Sequence, residues 1–170
     1  MNKNYTRASH GFGPVYDEKS RILILGSFPS VKSREEGFFY GHPRNRFWKI
    51  LAAVCDAPEP VTIEEKKQFL LEHGIALYDV IEECEIVGSS DSSIRNVVPA
   101  NLNQILEESQ INAVFTNGRL AGKLYRKYQE AVTGLPCVEL PSSSPANAAF
   151  SLERLIEMWQ EALPEFGKGG

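Results

Sequence analysis

The sequence predicts an α/β domain: a three-layer αβα sandwich around a central, mainly parallel four-stranded sheet. Three observations carry that reading. Short apolar runs of strand length alternate with longer segments of helical periodicity along the chain, as strand–helix–strand units do. The runs are apolar throughout, as in RILILG at Arg21–Gly26 and INAVFT at Ile111–Thr116, which marks strands covered on both faces. Turn and cap residues, chiefly Gly, Asn and Pro, punctuate the boundaries.

Taken in order, Arg21–Gly26 is a buried parallel strand that stops at a functional loop. Arg46–Cys55 places Phe47, Ile50, Leu51 and Val54 at helical spacing, with Asn45 as N-cap. Thr62–His73 is a second helix, capped by Thr62 and carrying Glu64 and Glu65 in its first turn. Gly74 ends it, and Ile75–Val80 is a second strand. The acidic and polar stretch from Glu82 to Val98 reads as an exposed loop around Gly88–Ser93. Asn101–Ser109 is a helix, Ile111–Thr116 a third strand, and Asn117-Gly118 opens an amphipathic helix to about Ala131. Val138–Leu140 is a fourth strand, Pro141–Ala148 a stiff Ser/Pro loop and Phe150–Leu163 a last helix. With 170 residues, the chain is expected to form a single domain over 1–163, followed by a loose tail at 164–170.

Composition excludes several classes. The chain is 42% hydrophobic and 24% charged, too apolar for general disorder. No apolar run approaches the roughly 20 residues of a membrane span, and Met1–Gly13 contains no stretch resembling a secretory signal. Cys55, Cys84 and Cys137 are odd in number and scattered, and only three histidines occur. That argues against a disulfide framework or a metal site and predicts an intracellular protein with reduced thiols and no cofactor. Net charge is −4, so nothing global announces nucleic acid. Lys32, Arg34, His42, Arg44, Arg46 and Lys49 nevertheless cluster in one stretch, and Arg119, Lys123, Arg126 and Lys127 in another.

Two segments carry chemistry. The first runs from GSFPS at Gly26–Ser30 through Lys32 and Ser33 to YGHPRNRFW at Tyr40–Trp48. Pro29 and Pro43 fix its shape, as a preorganised site requires. Its hydroxyls and amides can meet phosphate or base edges, while Phe39 and Tyr40 offer flat faces for a base. Asn45 carries a carboxamide that both donates and accepts, able to orient water or read a keto edge. Phe47 and Trp48 belong to the core. The second segment, LPSSSPAN at Leu140–Asn147, puts Ser142, Ser143, Ser144 and Asn147 between Pro141 and Pro145 on a loop able to wedge into a duplex. His10 and His73 look incidental, Asp91 reads as part of a solvated loop that could alternatively supply a base, and Asn117-Gly118 as a phosphate-binding helix start or a simple turn.

The order of these motifs resembles the uracil-DNA glycosylase superfamily, and is most similar to its hypoxanthine-DNA (deoxyinosine) glycosylase branch and to the mismatch-specific uracil/thymine glycosylases. The resemblance implies a monofunctional DNA glycosylase acting on DNA that carries a deaminated base, working as a monomer without cofactor or metal. The mismatch-specific enzymes place their water-activating asparagine where this chain has Phe28. In the hypoxanthine branch the essential amide falls on Asn45 and the stacking aromatic on Tyr40. Gly26, Ser27, Phe28, Pro29, Ser30 and Phe39 would complete the base pocket. Lys32, Ser33, His42 and Arg44, with Pro141, Ser142, Ser143, Ser144, Pro145 and Asn147, would bind DNA. A serine hydrolase with Ser27 or Ser30 as nucleophile is disfavoured: no G-x-S-x-G elbow is present and no histidine follows His73. A non-catalytic nucleotide- or DNA-binding module on the same fold is the remaining alternative.

Overall fold

The computed structural model describes residues 4–164; apart from Pro164, the tail expected at 164–170 lies outside them. Four parallel strands form the central sheet: β2 (Ile22–Gly26), β3 (Ile75–Asp79), β6 (Ala113–Asn117) and β7 (Cys137–Leu140), in the order β3-β2-β6-β7. All five residues of β2 and of β3 are buried, the physical reason their sequences show no alternation. The helices flank this sheet. α3 (Ile63–Glu72) packs on β3, α5 (Arg119–Tyr128) on β6 and β7, and α7 (Leu152–Ala162) on β7 and on α2 (Phe47–Val54). Thr62 and Glu65 form a reciprocal capping box at the start of α3.

The strands run one to two residues away from their expected bounds, as fraying ends allow. Three further differences are larger. Residues 31–36 form a short helix, α1 (Val31–Glu36), capped by Ser30 within the segment read as loop. The amphipathic helix after Gly118 breaks at Gln129 into α5 and a short α6 (Glu130–Thr133). The stretch taken for an exposed loop holds β4 (Ile81–Ile86) and β5 (Arg95–Pro99), which with β1 (Thr6–Ser9) make an antiparallel sheet in the order β1-β4-β5. Its three glutamates, Glu82, Glu83 and Glu85, hid β4 from a charge-based reading, yet Ile81, Cys84 and Ile86 face inward and are buried. α4 (Leu102–Glu107) follows β5.

The small sheet positions the site. Only Val80 separates β3 from β4, and β1 lies antiparallel to β4, so the residue after β1 arrives where β3 ends. His10 N–H bonds to the Glu82 carbonyl at 2.8 Å, which fixes that arrival. Buried Gln129 donates to the carbonyls of Val80 and Ala100 and so ties this junction to the α5–α6 break. Among the described residues no helix is long and apolar enough to cross a membrane.

Candidate active site

The carboxyl ends of β2, β3 and β6 open into a cavity of about 250 Å³. That is where ligands bind in open α/β sheets. Its walls come from three loops far apart in sequence: Gly26–Ser30, Phe39–Asn45 and Ser142–Pro145. Asp79, Asn117, Ser89 and Asp91 complete them. The first two loops and the Ser/Pro loop were legible in the sequence, which also offered Asp91 as a solvated residue or a base and Asn117 as part of a turn or a phosphate site; Asp79 and Ser89 were not assigned there.

Asn45 is held rigidly. Its Oδ1 accepts the Phe47 N–H at 3.0 Å and the Ser143 hydroxyl at 2.8 Å. A backbone N–H can only donate, so the oxygen is assigned and the Nδ2 amino group is left without a partner among the described residues. The carboxamide thus offers donors to the cavity. The sequence reading had it accepting as well; Phe47 and Ser143 already occupy that oxygen. Asn117 braces the arrangement from the end of β6, donating to Ser143 Oγ at 2.9 Å and accepting the Ser143 N–H at 3.0 Å. A relay Asn117–Ser143–Asn45 therefore aims one amide. Gly118 turns the chain at φ 98° with its N–H on the Leu140 carbonyl, so the turn reading holds there.

Asp79 ends an otherwise apolar strand and is only 3% exposed. Its Oδ2 meets His10 Nε2 at 2.6 Å, while Oδ1 has no partner among the described residues. A carboxylate only accepts, so Nε2 carries a hydrogen toward Asp79, while the buried His10 Nδ1 has no hydrogen-bond partner among the described residues. His10 is not incidental. It is fully buried among Phe12, Phe28, Phe39 and Tyr78 and locks the carboxylate from behind. No local signal marks His10 in the sequence, because a fold of distant strands creates its contact.

Tyr40 adopts φ 53°, a left-handed conformation that costs a side-chain-bearing residue about 1–2 kcal/mol. Its ring stacks on Phe47 at 4.0 Å and 18°. The hydroxyl is buried with no hydrogen-bond partner among the described residues. Burial first, and then the charge of Asp79, push the phenol well above the ordinary tyrosine range; the Asn117 side chain works against the shift. Gly26 makes room for both groups. A methyl there would overlap Asp79 Oδ1 and lie 2.8 Å from Tyr40 Oη. Gly26→Ala is therefore expected to cost about 1–3 kcal/mol through overpacking, read by urea unfolding, and to displace both polar groups together.

The remaining expected residues divide by placement. Ser27, Phe28, Pro29 and Ser30 line the cavity. Phe39 touches it, yet is 2% exposed and packed edge-on against Phe12 and Phe38, so it is wall rather than a free stacking face. Phe47 and Trp48 are buried, as expected. His42 is exposed at the rim, its Nδ1 accepting the Arg44 N–H, and Arg44 is exposed beside it. Lys32 is exposed outside the cavity and pairs with Glu36 at 3.5 Å. Ser33 and Ser143, expected to meet phosphates, are 2% and 0% exposed. Ser33 Oγ accepts from Gly41 N–H and from Ser30, and Ser143 serves the amide relay. Both brace loops from within. Asn147 likewise folds back, donating to the Ser142 carbonyl at 3.0 Å. Pro141 accepts the Trp159 indole N–H, whereas Pro145 stands exposed at the tip. Ser142 and Ser144 cap the turn, accepting the N–H groups of Ser144 and Ala146.

Arg46 clamps the two main loops. Its guanidinium donates to the carbonyls of Ser143, Ser144, Asn147 and Phe150. Arg46→Ala should lower stability by about 1.5–3 kcal/mol, the scale of hydrogen bonds from a charged donor. Arg46→Lys should restore little, because an ammonium cannot reproduce the planar fork. Thermal unfolding of both variants checks this.

A model of the uracil DNA glycosylase superfamily matches residues 14–163. The chain belongs to the uracil DNA glycosylase superfamily. Within it, the chain is 34% identical over 154 residues to the hypoxanthine DNA glycosylase of Methanosarcina acetivorans, covering 88% of this chain and 94% of that one. It is 34% identical over 157 residues to the hypoxanthine DNA glycosylase of Methanosarcina barkeri, covering 89% and 96%. The solution NMR structure of a candidate uracil DNA glycosylase from Methanosarcina acetivorans superposes with TM-score 0.76 at 30% identity, covering 92% of this chain and 98% of that one. For this superfamily member, the fold expected from the sequence is therefore shown. Among its described residues no cluster of His, Cys, Asp and Glu is placed to hold a metal ion.

Proposed function

We propose that this chain hydrolyses the N-glycosidic bond of a deaminated base in DNA, with hypoxanthine as the first substrate, and that it does so as a monomer on intracellular DNA. One observation carries the reading: the cavity pairs an amide donor, Asn45 Nδ2, with a buried acceptor, Asp79 Oδ1. Deamination turns an amino group into a carbonyl and the adjacent ring nitrogen into N–H. A donor-plus-acceptor cavity suits the keto and N–H edge of hypoxanthine, xanthine or uracil and opposes the reversed edge of adenine. Guanine shares that edge but adds an amino group, and the Asp79 Oδ2 nearest to it is already engaged by His10. At about 250 Å³ the cavity is smaller than the roughly 300–1,000 Å³ of drug-sized ligand sites, in keeping with one everted base. The relatives' names point the same way.

In this reading Tyr40, backed by Phe47, supplies the flat face under the base. As the C1′–N bond breaks, negative charge grows on the base and Asn45 Nδ2 donates to it, a preorganised hydrogen bond that strengthens in the transition state. Gly26–Ser30 walls the pocket, and the exposed Pro145 tip, with His42, Arg44 and Lys32, meets the duplex. Among the described residues no lysine lines the cavity, which supports hydrolysis without a Schiff base. Borohydride should therefore trap no covalent DNA adduct. The deciding experiment incubates the protein with duplexes carrying hypoxanthine, xanthine or uracil and then cleaves abasic sites with alkali. Hypoxanthine should give the most cleavage; cleavage of none of the three would favour a non-catalytic binding module.

A further inference from the structure

The amide relay leaves a chemical requirement unmet. Hydrolysis needs a group that orients water and takes its proton, and the Asn45 oxygen is occupied by Phe47 N–H and Ser143 Oγ. Two carboxylates share the cavity, Asp79 and Asp91. Asp79 is nearly inaccessible and bound to His10. Asp91 is exposed, and none of the ion pairs among the described residues involves it. An uncompensated negative charge beside a cavity that receives a polyanion opposes DNA binding, so it calls for a function that offsets the repulsion.

Its loop is built, not loose. Asp91 opens a 3₁₀ turn at Asp91–Ser93. Ser89 Oγ accepts the Val31 N–H at 2.8 Å, and Arg34 donates to the Gly88 carbonyl at 2.9 Å, which docks the turn on α1. Buried Ser93 donates to the Ser90 carbonyl at 2.6 Å and accepts the Val87 N–H. Asp91, one of the residues lining the cavity, thus sits on a fixed scaffold.

We propose that Asp91 is the general base of the reaction; the inference rests on the glycosylase reading above. A base everted into the depth of the cavity, near Asp79, leaves its sugar at the mouth, where Asp91 stands. The C1′–N bond breaks and its electron pair leaves with the base. Water oxygen bonds to C1′, and the water proton passes to Asp91. The same negative charge stabilises the positive charge developing on the sugar. The departing base, held by Asn45, takes its proton from solvent.

The groups facing Asp91 agree with this role. Asp79 from β3 and Tyr40 and His42 from the loop before α2 share the cavity, with Arg34 reaching the loop from α1. Partial desolvation beside the cavity first, and then the charge of Asp79, raise the carboxyl of the surface-exposed Asp91 above the ordinary aspartate range, toward the pH at which a base works best. Because the unprotonated form is active, excision should rise with pH through that elevated value and then level off.

The test compares wild type with Asp91→Asn in single-turnover excision of hypoxanthine across acidic to neutral pH. It also measures binding to a duplex carrying a tetrahydrofuran abasic analogue. The variant should be slower by about 100-fold, the lower end for general base catalysis, should lose the acidic limb of the profile, and should bind the analogue duplex at least as tightly. A variant within about threefold of wild type with the same pH profile overturns the proposal, as does one that binds the analogue more weakly, which would make Asp91 a DNA anchor. Wild type that excises none of the deaminated bases removes the glycosylase reading itself, a different outcome from an active wild type and an equally active variant.

Discussion

Asn45→Ala is expected to lower hypoxanthine excision by about 10²–10³-fold, the loss seen when one preorganised donor is removed from a developing negative charge. The fold should survive, since Asn45 is half-buried and the packing of Phe47 and Trp48 stays in place. What disappears is the acceptor for Phe47 N–H and for Ser143 Oγ, worth about 0.5–2 kcal/mol as a lost cap. Asn45→Asp makes the sharper comparison. It keeps the acceptor and the shape of the side chain but turns the Nδ2 donor into an oxygen, placing negative charge where the leaving base gathers its own. It should be no more active than alanine while remaining as stable as wild type. Single-turnover rates beside thermal unfolding separate catalytic loss from structural loss. An aspartate variant retaining near-wild-type excision would mean that the amide does not donate to the base.

Asp79→Asn should be nearly as severe. It replaces the buried acceptor with a group that must offer its oxygen either to His10 or to the base. Hydrogen bonds to a charged acceptor are worth about 1.5–3 kcal/mol, so excision should fall by roughly 10–150-fold at 1.4 kcal/mol per decade. Asp79→Ala adds a structural cost. It strands His10 Nε2–H in an interior where the ring is fully buried, a penalty of about 1–3 kcal/mol for an unsatisfied donor. A second signature separates reading from folding. Relative to hypoxanthine, 1-methylhypoxanthine lacks the ring N–H, so wild type should reject it and Asp79→Ala should narrow the gap. Equal discrimination in wild type and variant would place the N–H elsewhere.

The large sheet was legible because burial on both faces favours continuous apolar runs, and every residue of β2 and β3 is buried. The small sheet was not. β4 turns one face to solvent and fills it with glutamates, so its three inward residues, Ile81, Cys84 and Ile86, were outweighed by charge. The site split along a similar line. Loops stiffened by proline and rich in Gly, Ser and Asn announce themselves locally, which is why Asn45, Tyr40 and the Ser/Pro loop could be named. His10 acquires its partner only through pairing of β1 with β4. Asp79 did leave a trace, a lone acid closing the apolar run IALYD, and a charge in a strand buried on both faces is a signal in its own right. Ser33 and Ser143 show the opposite error, hydroxyls in exposed-looking motifs whose bonds are all internal.

The account is tested most directly by a structure of the protein bound to a duplex carrying 2′-fluoro-deoxyinosine, a substrate that resists cleavage. The base should lie outside the helix stack and against the Tyr40 ring, with its carbonyl oxygen at Asn45 Nδ2 and its ring N–H at Asp79 Oδ1. A hypoxanthine still stacked in the duplex, or seated with that carbonyl turned away from Asn45, would contradict it.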